Sequence, residues 1–332
     1  MDEFRNRILC GDCVEILRRA SEPFADLIFA DPPFNIGYKY DKYHDKKRSE
    51  KYLQWSGDWI SACAAVLQPH GSFYIAIGDE YVANLKLIAD DAGLTLRNWI
   101  IWHYTFGQQT KAKFARAHTH ILYFVKDPKH FVFNDEAVRI ISDRQKKYND
   151  KRANPAGKLP DDVWNEYPRI CGTFSERTGF PCQMPESLLA RIIRVSSHEG
   201  DWVLDPFCGS GTTATVARKL GRVYSSTDMS AEYVKAARKR VANCEGLPVE
   251  GEGLGVWPEH AEAELRWLYS ENKVPYSRLC ASAALLSIFT AKLNQRLQKT
   301  DLYTPEQVKE RLTLLEDRGA LNAQLSDRFS SV

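Results

Sequence analysis

Apolar runs of strand length alternate with segments of helical period through most of residues 1–245. The apolar runs predict strands at 7–10, 25–30, 72–77, 96–104, 119–126, 201–205 and 222–227. The segments of helical period lie between them, at 52–67, 80–92, 185–197, 212–220 and 231–242. This alternation predicts an α/β fold with a doubly wound, mostly parallel sheet. No helix separates the strands at 96–104 and 119–126, so these two are expected to pair antiparallel at one edge of the sheet.

Two parts of the chain depart from this alternation. Residues 138–177 form a loop-rich insertion, and between 139 and 158 it carries seven basic residues against two acidic ones. The glycine-rich passage at 246–257 is typical of a linker, and residues 258–332 have helical period without strand-like alternation. We therefore expect a main domain at 1–245 and a small helical C-terminal domain at 258–332. Thr304 and Gln307 predict a capping box at the start of one of its helices.

The overall composition is that of an ordinary globular protein. Of the 332 residues 44% are hydrophobic and 27% are charged, and the formal net charge is +2 at pH 7. Cys10 and Cys13 make a C-x-x-C pair, but the chain has no second pair at zinc-ribbon spacing, so reduced thiols are expected and no metal site is predicted. The N-terminus does not resemble a signal peptide, and no apolar run is long enough to span a bilayer, so a soluble intracellular protein is expected.

A glycine-rich turn joins the strand at 201–205 to the helix that follows it. Gly209, Ser210 and Gly211 make this turn, which would present backbone N–H groups and let a ligand approach the main chain closely. Asp228 ends the next strand, where a carboxylate can accept both ribose hydroxyls of an adenosyl group. A tight turn without a ligand, or one that binds a dinucleotide, remains an alternative, because Ala214 occupies a position at which the dinucleotide fingerprint tolerates alanine.

The wider sequence around this turn resembles a known enzyme signature. Residues 205–213 read Asp-Pro-Phe-Cys-Gly-Ser-Gly-Thr-Thr, and residues 31–34, after the strand at 25–30, read Asp-Pro-Pro-Phe. Together the two strings resemble the cofactor and catalytic signatures of S-adenosylmethionine-dependent DNA amino-methyltransferases. Their order, with the catalytic string first, is similar to that of the circularly permuted β group, in which the target-recognition segment lies between them. The layout also resembles the cell-cycle-regulated orphan adenine methyltransferases, which carry a C-terminal extension.

The resemblance implies S-adenosyl-L-methionine as the cofactor and a set of residues that bind it. The helix at 185–197 is preceded by Gln183-Met184-Pro185, where the family commonly has lysine in the place of Met184. The element Gly11-Asp12-Cys13 resembles the segment that approaches the adenine ring of the cofactor. The expected cofactor-binding residues are Asp12, Cys13, Gln183, Asp205, Phe207, Gly209, Ser210, Gly211, Thr212, Thr213 and Asp228.

The catalytic string has the groups that methylation of an exocyclic amine requires. Asp31 can accept one N–H of the amine and the Pro32 carbonyl can accept another, because Pro32 and Pro33 stiffen the backbone. Phe34 offers an aromatic face for a base that has flipped out of its duplex. Charge placement and positioning then lower the barrier without a deprotonating base. Within the family, aspartate at the first position goes mainly with adenine N6, so Asp31 favours adenine.

Basic residues after the catalytic string and in the insertion are candidates for contact with phosphates. They are Lys39, Lys46, Lys47, Arg48, Arg144, Lys146, Lys147, Lys151 and Arg152. Solvated surface loops are the alternative for both groups. The C-terminal segment has further cations, among them Lys292, Arg296 and Arg311. They predict added DNA affinity, with a purely structural cap as the alternative.

The expected function is methylation of adenine N6 at a specific site in double-stranded DNA by base flipping. Three alternatives remain open: a cytosine-N4 DNA methyltransferase, an RNA methyltransferase with the same catalytic logic, and a non-catalytic DNA-binding paralogue. The resemblance further implies a homodimer acting in the cytoplasm at the nucleoid. No nuclease signature accompanies the two strings, which fits a separate methyltransferase.

Overall fold

The computed structural model describes most of the chain, and its sheet carries the site. The described residues are 2–38, 40–43, 45–108, 111–142, 144, 148, 150, 152–154, 157–170, 176–180, 182–244, 257, 259–297 and 302–321. Among these, eight strands form one sheet in the order β1-β8-β7-β2-β3-β5-β4-β6. The strands are β1 (Arg7–Cys10), β2 (Ala25–Ala30), β3 (Leu67–Ile77), β4 (Thr95–Gln108), β5 (Arg116–Val125), β6 (Val163–Trp164), β7 (Trp202–Asp205) and β8 (Val223–Asp228).

Five neighbouring strands of this sheet, β1, β8, β7, β2 and β3, run parallel, which confirms the predicted α/β fold. β5 runs antiparallel to both β3 and β4, as the missing helix between 104 and 119 predicted. β6 lies outside the seven predicted strands. It is a two-residue strand that pairs parallel with β4 and lies inside the insertion. So short a strand has no detectable alternation, which is why the sequence pattern does not predict it.

Helices cover both faces of the sheet. They are α1 (Cys13–Leu17), α2 (Ser49–Val66), α3 (Val82–Asp91), α4 (Glu186–Ser196), α5 (Thr212–Lys219) and α6 (Ala231–Asn243). The alternation along β2 divides its side chains between two layers of core: Ile28 packs with α1 to α3, and Phe29 packs with α4 and α5. Every residue of α4 is buried, because the sheet covers one side of this helix and the C-terminal helices cover the other.

The predicted C-terminal helices are α7 (Glu259–Asn272), α8 (Tyr276–Ala281), α9 (Ala283–Arg296) and α10 (Pro305–Asp317). They have a hydrophobic cluster of their own, and Ile141 of the insertion belongs to it. α10 begins at the predicted capping box, in which the Gln307 N–H donates to the Thr304 hydroxyl and the Thr304 N–H donates to the Gln307 side chain. Of the predicted linker 246–257, only Trp257 is described, and it stacks on Tyr303.

A buried ionic network joins the C-terminal helices to the rest of the protein. Arg296 of α9 donates to Glu271 at 2.6 Å and pairs with Glu264 at 3.3 Å. Glu271 also lies 3.7 Å from Arg191 of α4 and accepts a hydrogen bond from the Tyr167 hydroxyl. Burial alone would raise the pKa of Glu271, but the guanidinium groups of Arg296 and Arg191 hold it below its usual value. These pairs fix α7 and α9 against α4 and against the end of the insertion.

Protein partners engage several of the C-terminal cations. Lys292 is buried and donates to the Arg139 carbonyl, Arg296 belongs to the network, and the partly exposed Arg311 pairs with Glu262. The buried side chains of Lys292 and Arg296 are not positioned to reach phosphates. This pairing supports the structural alternative for the C-terminal helices.

Replacing Glu271 by alanine should destabilise the whole protein, because it leaves buried guanidinium groups without their partner. The expected loss is about 3–5 kcal/mol of unfolding free energy, the range for breaking one side of a buried ion pair. Lys86→Ala is the matched control, since it removes a half-exposed pair with Asp90 and should cost under ~1 kcal/mol. Denaturant unfolding monitored by circular dichroism measures both variants. Equal losses in the two variants would contradict a stabilising role for the network.

Candidate active site

A cavity of about 150 Å³ opens at the carboxyl edge of the parallel strands. It lies where β1, β8, β7 and β2 end side by side, which is where ligands bind in open α/β sheets. All four residues of the predicted catalytic string line it. So do ten of the predicted cofactor residues: Asp12, Cys13, Gln183, Asp205, Phe207, Gly209, Ser210, Thr212, Thr213 and Asp228. The fold thus brings the two strings into the wall of one cavity.

The glycine turn between β7 and α5 brings the main chain to the cavity. Gly209 has φ +48°, and a Cβ atom on it would lie 2.9 Å from the Phe180 ring. Gly211 has φ +75° and is buried against α6, where a Cβ atom would lie 2.8 Å from the Cβ of Ala237. Both positions require glycine, but they do different things. Gly209 keeps the turn open to the cavity, whereas Gly211, which does not line the cavity, lets α5 start close against α6.

Asp228 holds the turn in place. Its Oδ2 accepts from the Gly209 N–H at 2.9 Å, and its Oδ1 accepts from the Ser230 N–H at 2.8 Å. Burial raises the pKa of Asp228, although these two N–H groups counteract the effect. Each carboxylate oxygen can accept further hydrogen bonds, so Asp228 can bind hydroxyl groups of a ligand at this edge.

On the other side of β8, the connection from β1 to α1 contributes Asp12, and α1 begins with Cys13. The Asp12 carboxylate caps α1 by accepting from the Val14 and Glu15 N–H groups at 2.8 and 3.2 Å. Burial, followed by the nearby charge of Asp12, raises the pKa of the Cys13 thiol to about 12, so the thiol stays protonated. Cys13 therefore contributes a small apolar wall and not a nucleophile.

Gln183 lines the cavity, but its polar atoms serve the protein. Its Oε1 accepts from the N–H and the hydroxyl of Thr178 at 2.9 and 2.8 Å, and its Nε2 donates to the Glu176 carbonyl. These bonds shape the loop that carries Phe180 against Gly209. Met184, which stands where the family commonly has lysine, is buried in the wall beside it.

Asp31 and Asp205 form a pair of acidic groups with perturbed ionisation. Burial, followed by the charge of Asp205, raises the pKa of Asp31 to about 8. Burial likewise raises the pKa of Asp205 to about 6, against hydrogen bonds from the Thr213 hydroxyl and the Phe207 N–H. The nearby charge of Asp228 raises the pKa of Asp205 further. Buried carboxylates gathered in this way make a site that attracts a cation or a hydrogen-bond donor.

The catalytic turn is held from outside the cavity. The Tyr52 hydroxyl of α2 donates to the Pro33 carbonyl at 2.8 Å. Phe34 lies against Gly78, where a Cβ atom would come within 3.3 Å of the ring. These contacts fix the turn that carries Asp31 and the Pro32 carbonyl.

The segment after the catalytic turn forms a strap that comprises the described residues 35–38, 40–43 and 45–47. Asp45 is 2% exposed, and its carboxylate accepts from the N–H groups of Asn35, Ile36 and Tyr38 at 2.7, 3.2 and 2.9 Å. Asn35 has φ +61°. Its side-chain N–H donates to the Lys47 carbonyl, and its side-chain oxygen accepts from the Lys47 N–H. The signal in the sequence is the Asn35-Ile36-Gly37 run, because asparagine and glycine tolerate positive φ.

This strap crosses the cavity to the far side. The Ser230 hydroxyl donates to Asp41 Oδ2 at 2.7 Å, and Tyr38, Tyr40 and Tyr43 all line the cavity. Sequence patterns do not predict that these aromatic residues belong to the site, because the segment that carries them is mostly polar.

The predicted phosphate contacts lie in different surroundings. The Lys47 ammonium lies 4.4 Å from the Tyr43 ring centroid and 4.8 Å from that of Trp55, and burial lowers its pKa. Lys46 and Arg48 are exposed. Arg144 and Arg152 are exposed and both bind Asp150, at 2.6 and 3.0 Å. Lys39, Lys146, Lys147 and Lys151 lie outside the described residues.

Over the residues that the structure describes, no three His, Cys, Asp or Glu side chains come together as a metal site would need. The described helices include none that is long and apolar enough to cross a membrane.

Comparisons with known proteins agree with this geometry. A family model described as DNA methylase, of N6 and N4 type, matches residues 25–239. The type II methyltransferase M.HpaI of Haemophilus parainfluenzae is 37% identical over 236 residues, which are 71% of this chain and 74% of that protein. The DNA adenine methyltransferase YhdJ of Escherichia coli K12 is 35% identical over 242 residues, covering 70% and 82%.

Among solved structures, the cytosine-N4-specific PvuII DNA methyltransferase superposes with a TM-score of 0.55 at 19% identity, covering 86% of this chain and 92% of that one. This likeness supports the fold. The matched family region contains both the catalytic turn and the glycine turn. With its sheet, its cavity and these relatives, the chain belongs to the N6/N4 DNA methylase family.

Proposed function

We propose that this protein transfers a methyl group from S-adenosyl-L-methionine to N6 of adenine at a specific site in double-stranded DNA. The observation that carries the proposal is that Asp31 of the catalytic string and Asp228, which ends the strand after the cofactor string, line the same cavity although they lie near opposite ends of the main domain. One carboxylate suits a target amine and the other suits the ribose of a cofactor. The site therefore has one place for each of the two reactants.

The residues at the glycine turn fit the cofactor. Asp228 is held by two N–H groups and keeps acceptor capacity for hydroxyls, and Gly209 keeps space at the main chain. Phe207 offers a ring that packs against Trp55 and Trp59, with ring centroids 5.7 and 5.1 Å apart. When bound, S-adenosyl-L-methionine supplies an electrophilic methyl group on a sulfonium centre. The neighbouring carboxylates of Asp31 and Asp205 give that positive centre a favourable environment.

The catalytic turn would hold and orient the amine. Asp31 in its ionised form accepts one N–H, and the Pro32 carbonyl accepts the other. The Pro33 carbonyl is engaged by Tyr52 and serves to fix the turn. A base reaches such a turn only outside its duplex, so we include base flipping in the proposal, with Phe34 as a stacking face. The strap that carries Tyr38, Tyr40 and Tyr43 would limit the access of water to the cavity.

Adenine is favoured over cytosine by two observations. The catalytic string begins with aspartate, and YhdJ, at 35% identity, is named as an adenine methyltransferase. Cytosine N4 is the second candidate, because the matching family model covers DNA methylases of both N6 and N4 type. Mass spectrometry of nucleosides from DNA treated with the enzyme and cofactor distinguishes N6-methyladenine from N4-methylcytosine, and treated RNA tests the RNA alternative.

Finer aspects of the resemblance belong to the same proposal. The catalytic string precedes the cofactor string, which supports membership of the permuted β group. A homodimer acting on nucleoid DNA in the cytoplasm, and a kinship with the cell-cycle-regulated orphan enzymes, stay predictions. Similarity to the type II enzyme M.HpaI makes a partnership with a restriction enzyme the alternative to an orphan role.

Asp31→Ala should abolish methyl transfer while the affinity for the cofactor stays within a few-fold of wild type. The carboxylate is assigned to the target amine, and most cofactor contacts come from the glycine turn. The kcat with duplex DNA should fall by more than tenfold, that is by more than ~1.4 kcal/mol in activation free energy. Asp91→Ala, at an exposed position at the end of α3, is the control. An Asp31→Ala enzyme that keeps over a tenth of wild-type kcat would refute the assignment.

Asp228→Ala should weaken binding of S-adenosyl-L-methionine by roughly 1.5–3 kcal/mol, the range for a hydrogen bond to a charged group. Calorimetry gives the affinity. Because Asp228 also holds the glycine turn, a cofactor analogue that lacks the ribose 2′-hydroxyl separates the two effects. The analogue should bind wild type more weakly than the cofactor does, and bind the variant no worse than the cofactor does. Unchanged affinity in the variant would remove Asp228 from the ribose role.

Asp31 should make binding of the sulfonium cofactor depend on pH. With its pKa at about 8 in the free protein, Asp31 is largely neutral at pH 7 and ionised at pH 9. The affinity for S-adenosylmethionine should therefore rise several-fold from pH 7 to pH 9 relative to S-adenosylhomocysteine, whose sulfur is uncharged, whereas at pH 7 the largely neutral Asp31 adds little to that affinity. The comparison of the two ligands cancels titration of their shared amino group. Asp31→Asn should flatten the difference, and an unchanged pH dependence in that variant would contradict the role of Asp31.

A further inference from the structure

The hairpin formed by β4 and β5 extends beyond the edge of the sheet on which the cavity lies. His120 of β5 pairs with Ile77, the last residue of β3, and the ladder between β4 and β5 continues past that point to the pair Gln108 and Arg116. Because β5 runs antiparallel to β3, this extension projects from the carboxyl edge of the parallel strands. The hairpin therefore stands beside the cavity.

The base of the hairpin is fixed to the catalytic turn. Arg116 pairs with Asp79 at 2.7 Å, and Asp79 lies two residues past the end of β3. At Gly78 a Cβ atom would lie 3.3 Å from the Phe34 ring and 3.8 Å from the Arg116 guanidinium. The hairpin and the catalytic turn thus meet at one residue, and the position of one determines the position of the other.

Next to this anchor lies a large apolar side chain that is almost wholly exposed. Phe114 is 98% exposed, more than any other large hydrophobic residue among those described. Lys111, Lys113 and Arg116 surround it in the sequence, and both lysines are exposed. Phe114 is two residues from Arg116, so it lies at most about 7 Å further along the chain. An exposed aromatic ring between cationic side chains is complementary to duplex DNA, which has charged phosphates outside and stacked bases inside.

We infer that Phe114 inserts into the base stack of duplex DNA next to the target base, while Lys111 and Lys113 beside it contact the phosphates. The inference rests on the proposed function, and in particular on base flipping. Extrusion of a base leaves a gap in a stack whose steps are about 3.4 Å apart. Proteins that open base steps use apolar wedges for this purpose, with cations on the backbone beside them. Phe114 has the size, the exposure and the anchored position for such a wedge.

Substitutions at Phe114 test the inference with duplex genomic DNA from a methylation-deficient host and labelled cofactor. Phe114→Ala should lower kcat/KM by roughly tenfold or more, because the gap in the stack is no longer filled. Phe114→Leu keeps apolar bulk and should keep over about half of the activity. Phe114→Lys adds a phosphate-binding group but removes the wedge, so its kcat/KM should fall as far as that of Phe114→Ala. Affinity for the cofactor should stay unchanged in all three variants.

Phe133→Ala is the matched control. Phe133 is a half-exposed aromatic residue, 42% exposed, on the segment that follows the other end of β5. Its variant should methylate DNA as wild type does. Heat-denatured DNA offers a second comparison, because a substrate without a stack should lose the difference between Phe114→Ala and wild type.

The outcomes separate the inference from the proposed function. If wild type methylates DNA but Phe114→Ala stays within about twofold of Phe133→Ala, the wedge is wrong and the proposed function stands. If Phe114→Lys is as active as wild type, the tip binds phosphates and does not enter the stack, which also overturns the wedge. If wild type methylates no DNA, the proposed function fails and the inference falls with it.

Discussion

Four carboxylates stand at the ends of four neighbouring parallel strands, and the rest of the structure is arranged around that edge. Asp228 and Asp205 end β8 and β7, while Asp31 and Asp12 follow β2 and β1. Parallel strands end on the same side of a sheet, so residues far apart in the chain meet in one cavity. The raised pKa values of Asp31, Asp205 and Asp228 report the consequence, because these acidic groups are gathered where protein shields them from water.

Such a cluster of acids must be held in place, and the protein does this with contacts outside the cavity. Asp228 accepts hydrogen bonds from two backbone N–H groups, and the Pro33 carbonyl accepts one from the Tyr52 hydroxyl. Asp45 holds the strap by accepting hydrogen bonds from three of its backbone N–H groups. The hydrogen bond from Ser230 to Asp41 then joins the catalytic half to the cofactor half across the opening. Preorganisation of this kind lets the functional carboxylates keep their positions without moving as reactants arrive.

A second buried network fixes the insertion to the C-terminal helices. Glu166 and Tyr167, near the end of the insertion, bind Arg191 and Glu271, and Glu271 binds Arg296 of the C-terminal helices. Ile141 at the start of the insertion donates its N–H to Asn272. The C-terminal helices therefore clamp both ends of the insertion against α4. This arrangement gives them a positioning role for the segment that the resemblance assigns to target recognition.

Local patterns in the sequence were enough to predict the parallel strands of the sheet and its antiparallel pair, and they marked two strings whose roles stay predictions. Alternation of apolar residues marks strands such as 25–30, and Asp-Pro-Pro-Phe and the glycine turn carry their own chemistry, because proline and glycine restrict the backbone in recognisable ways. The convergence of the two strings followed from the rule for parallel strands.

Other features were decided only by tertiary packing. The polar side chains of Asp45 and Lys47 do not indicate that Asp45 is buried within the strap or that the Lys47 ammonium packs on the Tyr43 ring. Gly211 reads as part of a ligand loop, yet it faces α6, because which glycine meets a helix depends on how α5 and α6 cross. Arg296 reads as a surface cation, yet Glu271 and Glu264 surround it. The sequence does not indicate which residue a charged side chain pairs with, because the partner lies on another element that comes near only in the folded chain.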